Sequence, residues 1–289
     1  MKFTKIQGAG NDYLFIDARN KEDAYNWPSL SRAMSDRHFG VGADGIILAL
    51  NSDKAPIRMR IFNADGSEGE VCGNGIRGLA KYVLERGIVP PDTMPLEVET
   101  MRGILSVKPT WDKDKVHRCQ VLMGEPSFKP ELIPVIIPQA IQHPERWKEK
   151  VIDYPLDVQG RNLGITCVSM GNPHAVVFLE GPVDEFPLEQ IGPKVERHPL
   201  FPRRVNFEIA NVLGRDRIKA RVWERGSGIT LACGTGACAV AVASRLHGFT
   251  DDTVEVALPG GLLTVQWPVH GQVLLEGPTQ EVFEGEWVK

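Results

Sequence analysis

After Cys72 the apolar residues Ile76, Leu79, Ala80, Val83 and Leu84 recur at the i, i+3, i+4, i+7, i+8 spacing of an amphipathic helix. Gly87, with Pro90 just beyond, stops that helix. After Cys233 the run from Ala237 to Ala243 is apolar on every side, the mark of a buried helix, and Gly248 ends it. Shorter runs read as strands bounded by Gly, Pro, Asn or Asp: Arg58-Met59-Arg60-Ile61-Phe62, Gly164-Ile165-Thr166-Cys167-Val168 and Ala175-Val176-Val177-Phe178. The Pro-rich stretch Pro126 to Pro138 and the stretch Gly181 to Pro202 read as connectors. The pattern is that of a mixed α and β chain with a cysteine at the N-terminus of each of two helices.

The two cysteines belong to a repeat. Glu70-Val71-Cys72-Gly73-Asn74-Gly75 and Leu231-Ala232-Cys233-Gly234-Thr235-Gly236 are 161 positions apart. The same interval relates Gly10-Asn11 to Gly171-Asn172, Gly87 to Gly248 and Asn63 to Glu224. Leu96-Glu97-Val98 with Gly103-Ile104-Leu105-Ser106-Val107 is echoed by Val254-Glu255-Val256 with Gly261-Leu262-Leu263-Thr264-Val265 at an interval of 158. Two long copies exclude a solenoid and favour two pseudosymmetric domains, joined near residues 108–120. The expected division is 1–117, with 278–289 returning to it, and 118–277.

Composition adds mostly exclusions. The 289 residues suit two domains, and 42% hydrophobic and 24% charged residues are ordinary for a globular chain. The net charge of −4, without Lys or Arg clusters, gives no field for nucleic acid or an anionic membrane. The N-terminus carries no apolar signal core. The uncharged stretch Gly226 to Ser244 is too polar and glycine-broken to span a membrane. Five cysteines, an odd number in a long chain, favour a reducing cytoplasm (or plastid stroma, after removal of a transit peptide). No Cys-x-x-Cys or His-x-x-x-His spacing suggests a metal site, and none is expected. Cys238 is five residues from Cys233, about 140° round the helix, so the two share no face. Cys119 and Cys167 lie in strand-like runs and read as core. Gly8-Ala9-Gly10 lacks the third glycine and following helix of a dinucleotide fingerprint.

A helix N-terminus offers unpaired N–H groups and partial positive charge. Gly73, Gly75, Gly234 and Gly236 leave that backbone open to a carboxylate or phosphate. The same place is expected to lower a thiol pKa from about 8.5 toward neutrality. A buried cysteine can be a plain small hydrophobe, but two at equivalent positions would face one another across a cleft between the domains. One thiolate could then take a proton from carbon while the opposite thiol returns one to the other face. That inverts a stereocentre without a redox cofactor, and the helix termini would stabilise charge developing on a substrate carboxylate. Arg225 could grip a second, distal carboxylate with two parallel N–H bonds; its bland alternative is a surface ion pair. Asn11, Asn63, Asn172 and Asn206 are turn-like singly, yet Asn11 and Asn172 are paired by the repeat. His174, by itself, reads as a structural hydrogen bonder.

Gly8-Ala9-Gly10-Asn11-Asp12, Phe62-Asn63-Ala64-Asp65-Gly66-Ser67, Cys72-Gly73-Asn74-Gly75-Ile76-Arg77, Gly171-Asn172-Pro173-His174, Val205-Asn206-Phe207-Glu208 and Glu224-Arg225-Gly226 with Ala232-Cys233-Gly234-Thr235-Gly236-Ala237 resemble, in order, the motifs of diaminopimelate epimerases. The resemblance implies two α/β domains (α+β in the wider sense), each a mixed, mostly antiparallel strand barrel around a central helix, with the site between them. It implies a cofactor-independent interconversion of LL- and meso-2,6-diaminopimelate, serving lysine and cell-wall precursor synthesis, by a cytoplasmic homodimer. It casts Cys72 and Cys233 as the catalytic bases, and His174 and Glu224 as a polar pair that sets thiol protonation. The amides of Gly73, Asn74, Gly234 and Thr235 would hold the reacting carboxylate. Asn11, Asn63, Asn172, Asn206, Glu224 and Arg225 would bind the amino groups and the distal carboxylate. One departure stands after Gly40-Val41-Gly42-Ala43-Asp44, where many members place a substrate-contacting Gln and this chain has Gly45.

Proline and hydroxyproline racemases and isomerases of related fold share the resemblance more distantly. Those that only dehydrate or isomerise tend to lose one of the thiols, and both are present here. A non-catalytic amino-acid binding protein would need neither.

Overall fold

The structure, a computed structural model, describes residues 1–70, 72–138, 141 and 143–288. Val71 of the first cysteine motif and Lys289, the end of the segment expected to return to the first domain, lie outside the described residues. The chain forms two compact units, residues 1–122 with 276–289 and residues 123–275.

In the first unit β1 (Lys2–Gly8) turns through Ala9 and Gly10 into β2 (Asn11–Asp17), and α1 (Trp27–Ser35) follows. Then come β3 (Gly45–Leu50), β4 (Ile57–Asn63), β5 (Glu68–Gly69), α2 (Gly73–Glu85), β6 (Leu96–Thr100), β7 (Gly103–Asp112) and β8 (Lys115–Leu122). β1 and β2 are antiparallel, β2 and β3 parallel, and β3 and β4 antiparallel, with β5 folded back on β4. β4 and β6 are parallel, and β6, β7 and β8 continue antiparallel.

The second unit begins its sheet with β9 (Tyr154–Val158), β10 (Arg161–Ser169) and β11 (Pro173–Phe178). α3 (Leu188–Glu196), β12 (Asn206–Gly214), β13 (Arg217–Glu224) and β14 (Gly228–Thr230) come next. α4 (Gly234–Leu246), β15 (Thr253–Leu258) and β16 (Gly261–Gln266) complete the repeated plan. Its pairings follow the first unit one for one: β10 and β11 antiparallel, β11 and β12 parallel, β12, β13 and β14 antiparallel, β13 and β15 parallel, β15 and β16 antiparallel. β17 (Leu274–Pro278) carries the chain onward, and β18 (Gln280–Glu286) pairs antiparallel with β1, Lys2 opposite Glu286. The fold is mixed α/β and strand-rich.

Each unit packs its strands around one helix. α2 touches β1, β2, β3, β7 and β8, and α4 touches β10, β11, β12, β13, β15 and β16. α4 is buried from Gly236 to Ser244, as its unbroken apolar run dictates. α2 departs from the amphipathic expectation, because its polar face is buried as well: Arg77 and Lys81 are 0% and 5% exposed. The strands leave no solvent side, so both cations are satisfied internally. Lys81 donates to Glu85 (2.6 Å) and to the Val116 carbonyl (2.9 Å). Arg77 donates to the Gly73 and Pro278 carbonyls and to Asn74 Oδ1.

The stretch Gly181 to Pro202, expected as a connector, contains α3, whose Leu188, Ile191 and Val195 enter the second unit's core. Pro187 at its N-cap and Pro193 inside it disguise the helical period as loop composition. Cys119 on β8 and Cys167 on β10 are core residues as expected, and burial pushes the Cys119 thiol up to about 12. Among the described residues no helix is long and apolar enough to cross a membrane.

Candidate active site

Both cysteines cap their helices. Cys72 and Cys233 have the same extended backbone (φ −128°, ψ 120° and φ −119°, ψ 116°), and each Sγ accepts the N–H three residues on, Gly75 or Gly236, at 3.4 Å. The helices that follow are both 13 residues long. Gly73, Asn74, Gly234 and Thr235 are therefore first-turn residues, whose N–H groups have no partner within the helix.

In the first unit Cys72 is half-buried, and its thiol donates to Asn11 Oδ1 at 3.2 Å. Asn11 opens β2, and its Nδ2 donates to Asp44 Oδ2 at 2.5 Å. A carboxylate only accepts, so Asp44 turns the amide nitrogen to itself and the amide oxygen toward Cys72. Asp44 is itself held by the Asp12 N–H (3.0 Å) and Arg37 (2.9 Å). Asn74 Nδ2 also reaches Asn11 Oδ1 (3.4 Å), while Arg77 fixes Asn74 Oδ1 at 2.8 Å. The buried Tyr13 hydroxyl lies near Cys72 and Asn11; burial, reinforced by Cys72 and Asp44, pushes its pKa well up. Asn11, Asn74 and Cys72 thus form one cluster. Asn63 closes β4 with its amide on Ser67 (2.9 Å), and no hydrogen bond joins it to that cluster among the described residues. Gly45 lies opposite Asn63, and a Cβ there would be 2.2 Å from the Phe62 carbonyl oxygen. The close approach of β4 demands glycine, so a glutamine could enter only with a backbone shift.

In the second unit Asn172 Nδ2 donates to Thr235 Oγ1 (3.2 Å), and Thr235 Oγ1 lies 3.5 Å from Cys233 Sγ. His174 is fully buried, with Nε2 3.0 Å from Asn172 Oδ1. His174 and Glu224 share no hydrogen bond among the described residues, although the charge of His174 acts on Glu224. The carboxylate on His174 Nδ1 is Glu208, at 2.7 Å, while Glu224 takes a hydrogen bond from Thr230 and lies near the Cys233 thiol. Asn206 spends its amide on the backbone, donating to the Pro173 carbonyl (3.0 Å) and accepting the Arg225 N–H (2.8 Å). The Arg225 guanidinium is exposed, reaches the Arg203 carbonyl (3.3 Å) and has no carboxylate within ion-pair distance among the described residues.

The expectation of an acidified thiol fails at Cys233. Burial pushes its pKa well above the ordinary value, and Glu224 and Glu208 add to that, against smaller opposing effects of Thr235 and the Gly236 N–H. Desolvation and two carboxylates outweigh a helix terminus. Burial likewise raises Glu224 and Glu208.

Glu208 is the residue that the sequence motifs contain but sequence reasoning passed over. The 161-residue interval would have flagged it. That interval maps Tyr13 onto His174, Gly45 onto Asn206 and Ile47 onto Glu208, and the registers Tyr13–Gly45 and His174–Asn206 match. Under the first turn of α2 a Cβ on Gly75 would meet Ile47 at 2.6 Å; under α4 a Cβ on Gly236 would meet Glu208 at 2.9 Å.

The fold is shared along the whole chain with solved structures of low identity. A phenazine biosynthesis protein of the PhzF family from Bacillus anthracis matches with a TM-score of 0.67 at 18% identity, covering 100% of this chain and 99% of that one. A probable proline racemase from Agrobacterium radiobacter matches with 0.66 at 15% identity, covering 99% and 92%. The fold class is thus one that racemases and epimerases use. The model of the family described as diaminopimelate epimerase matches residues 3–129 and 166–282. Proteins named diaminopimelate epimerase are similar over 99% of this chain: one from Acetivibrio thermocellus at 47% identity and one from Leptospira biflexa at 44%, each covered to 98%, and one from Methanococcus maripaludis at 46%, covered to 99%. The chain belongs to the diaminopimelate epimerase family.

Proposed function

We propose that the protein interconverts LL- and meso-2,6-diaminopimelate with its own side chains as the acid and base, in lysine and cell-wall precursor synthesis. The observation that carries the reading is the pair of equal helices, each capped by a cysteine thiol and each opening on a glycine-flanked first turn. Cys72 and Cys233 are the two proton-transfer groups, one removing the α-proton as thiolate while the other, as thiol, protonates the opposite face. Glu224, near the Cys233 thiol, receives its proton; Asn11 holds the Cys72 thiol in its protonated form. The amides of Gly73, Asn74, Gly234 and Thr235 bind the reacting carboxylate, where negative charge grows as the α-proton leaves. Arg225, with no competing carboxylate among the described residues, binds the distal one, and Asn11, Asn63, Asn172 and Glu224 meet the amino groups. Asn206 serves by fixing the backbone of Arg225. The enzyme acts as a cytoplasmic homodimer, which light scattering on the purified protein checks.

The test is incubation with LL-diaminopimelate and chiral analysis of the product. Meso-diaminopimelate should accumulate to equilibrium without added cofactor, and L-proline should stay unchanged. Racemised proline with unaltered diaminopimelate would overturn the substrate assignment; binding without conversion would overturn the enzyme.

A further inference from the structure

Glu208 sits where the repeat calls for a hydrophobe, and the first unit places Ile47 there. The fold therefore does not require an acid at this position. Its side chain is 2% exposed, and Oε2 has no hydrogen-bond partner among the described residues. A bare buried carboxylate oxygen is costly, and a bare carbonyl oxygen of a neutral acid much less so.

Glu208 begins an unbroken series of polar contacts that reaches Cys233. Glu208 Oε1 meets His174 Nδ1 (2.7 Å), His174 Nε2 meets Asn172 Oδ1 (3.0 Å), Asn172 Nδ2 meets Thr235 Oγ1 (3.2 Å), and Thr235 Oγ1 meets Cys233 Sγ (3.5 Å). With a neutral imidazole such a series has two consistent directions. If Glu208 carries the proton, it donates to Nδ1, Nε2–H donates to the Asn172 oxygen, the amide donates to Thr235, and the hydroxyl donates to sulfur. If Glu208 is ionised, Nδ1–H points at it and every later contact reverses, so the thiol donates outward. We propose that Glu208 is a positioning residue that holds its proton and thereby directs the whole series toward Cys233, leaving the thiol's own proton to Glu224.

The Asn172 orientation, with its oxygen on His174, fits this direction. The ionisable groups that face Glu208 are His174 on β11, Glu224 on β13, Cys233 at the head of α4 and Cys167 on β10. Burial raises Glu208 from its ordinary value, and only His174 opposes it. The inference deepens the reading in which Cys233 transfers a proton, but the direction of the series can be read whether or not that reading holds.

The experiment is nitrogen-15 NMR of the histidines in the full-length protein, combined with site-resolved alkylation of Cys233 across pH. His174, assigned by its response in Glu208→Gln, should carry its proton on Nε2 with Nδ1 bare. A proton on Nδ1, alone or together with one on Nε2, overturns the proposal. Glu208→Gln keeps a donor on Nδ1 and should leave the Cys233 alkylation profile within about twofold. Glu208→Ile installs the residue type of the first unit and should slow Cys233 alkylation at neutral pH about tenfold or more, as expected for a lost hydrogen bond to a thiolate, with Cys72 unaffected. An unchanged Cys233 profile in Glu208→Ile, or an equal loss in Glu208→Gln, also overturns it. The wild-type spectrum decides the question even if Glu208→Ile does not fold.

Discussion

The two units build the same helix cap from the same residues and surround it with different side chains. Beside Cys72 stand the Asn11 oxygen, the Tyr13 hydroxyl and the Gly75 N–H, with Asp44 behind Asn11 and Ile47 under the first turn of α2. Around Cys233 stand Glu224, Glu208 and, through Asn172 and Thr235, His174. At equivalent positions Tyr13 becomes His174, Ile47 becomes Glu208 and Asn63 becomes Glu224. A duplicated backbone thus supplies two thiols, and a few substitutions give them different surroundings.

The strongest way to break the comparison is to remove each thiol. Cys72→Ala and Cys233→Ala should each lower kcat at least about 10³-fold, within the 10²–10⁴ range of a single acid or base, with unchanged circular dichroism. If one variant kept substantial turnover, the halves would not be a working pair. A smaller effect is expected at Arg225, whose counterpart in the first unit is Ala64. Arg225→Ala should raise KM for diaminopimelate about 10- to 100-fold with less change in kcat, as measured by steady-state kinetics. An unchanged KM would remove Arg225 from the binding of the distal carboxylate.

Thiol labelling sharpens the contrast without substrate. Because burial, with Glu224 beside the thiol, raises the Cys233 pKa, its thiolate fraction is small at neutral pH and grows as pH rises. Iodoacetamide should therefore modify Cys72 several-fold faster at pH 7, and the Cys233 rate should climb with each added pH unit. Buried Cys119 and Cys167 should stay unmodified in the folded protein. Peptide mapping reads all of these sites at once.

The helices after Cys72 and Cys233, and the strands at Arg58–Phe62 and Ala175–Phe178, are legible in the sequence because period and terminators agree there. α3 is not legible, since its prolines imitate a loop and only tertiary packing shows its buried stripe. The cap positions of both thiols follow from glycine spacing alone. The acidified thiol expected from that spacing does not appear at Cys233, because its field comes from strands distant in sequence that bring Glu208 and Glu224 to it. Gly45 shows the same limit: its motif suggests a missing contact, and the neighbouring strand shows why no side chain fits. The His174–Glu208 contact was concealed for a further reason, since a buried acid two residues from Asn206 looks like any strand residue until the repeat is aligned on Ile47.

The central claim is that two different thiols handle the leaving and the arriving proton. It is tested most directly by running the reaction from LL-diaminopimelate in deuterium oxide and analysing both epimers at low conversion. Meso product should carry one deuterium at the inverted α-carbon, while recovered LL substrate should retain its original hydrogen. Product that keeps the substrate's own hydrogen, or substrate that exchanges before it inverts, would mean that one group does both transfers and would contradict the account.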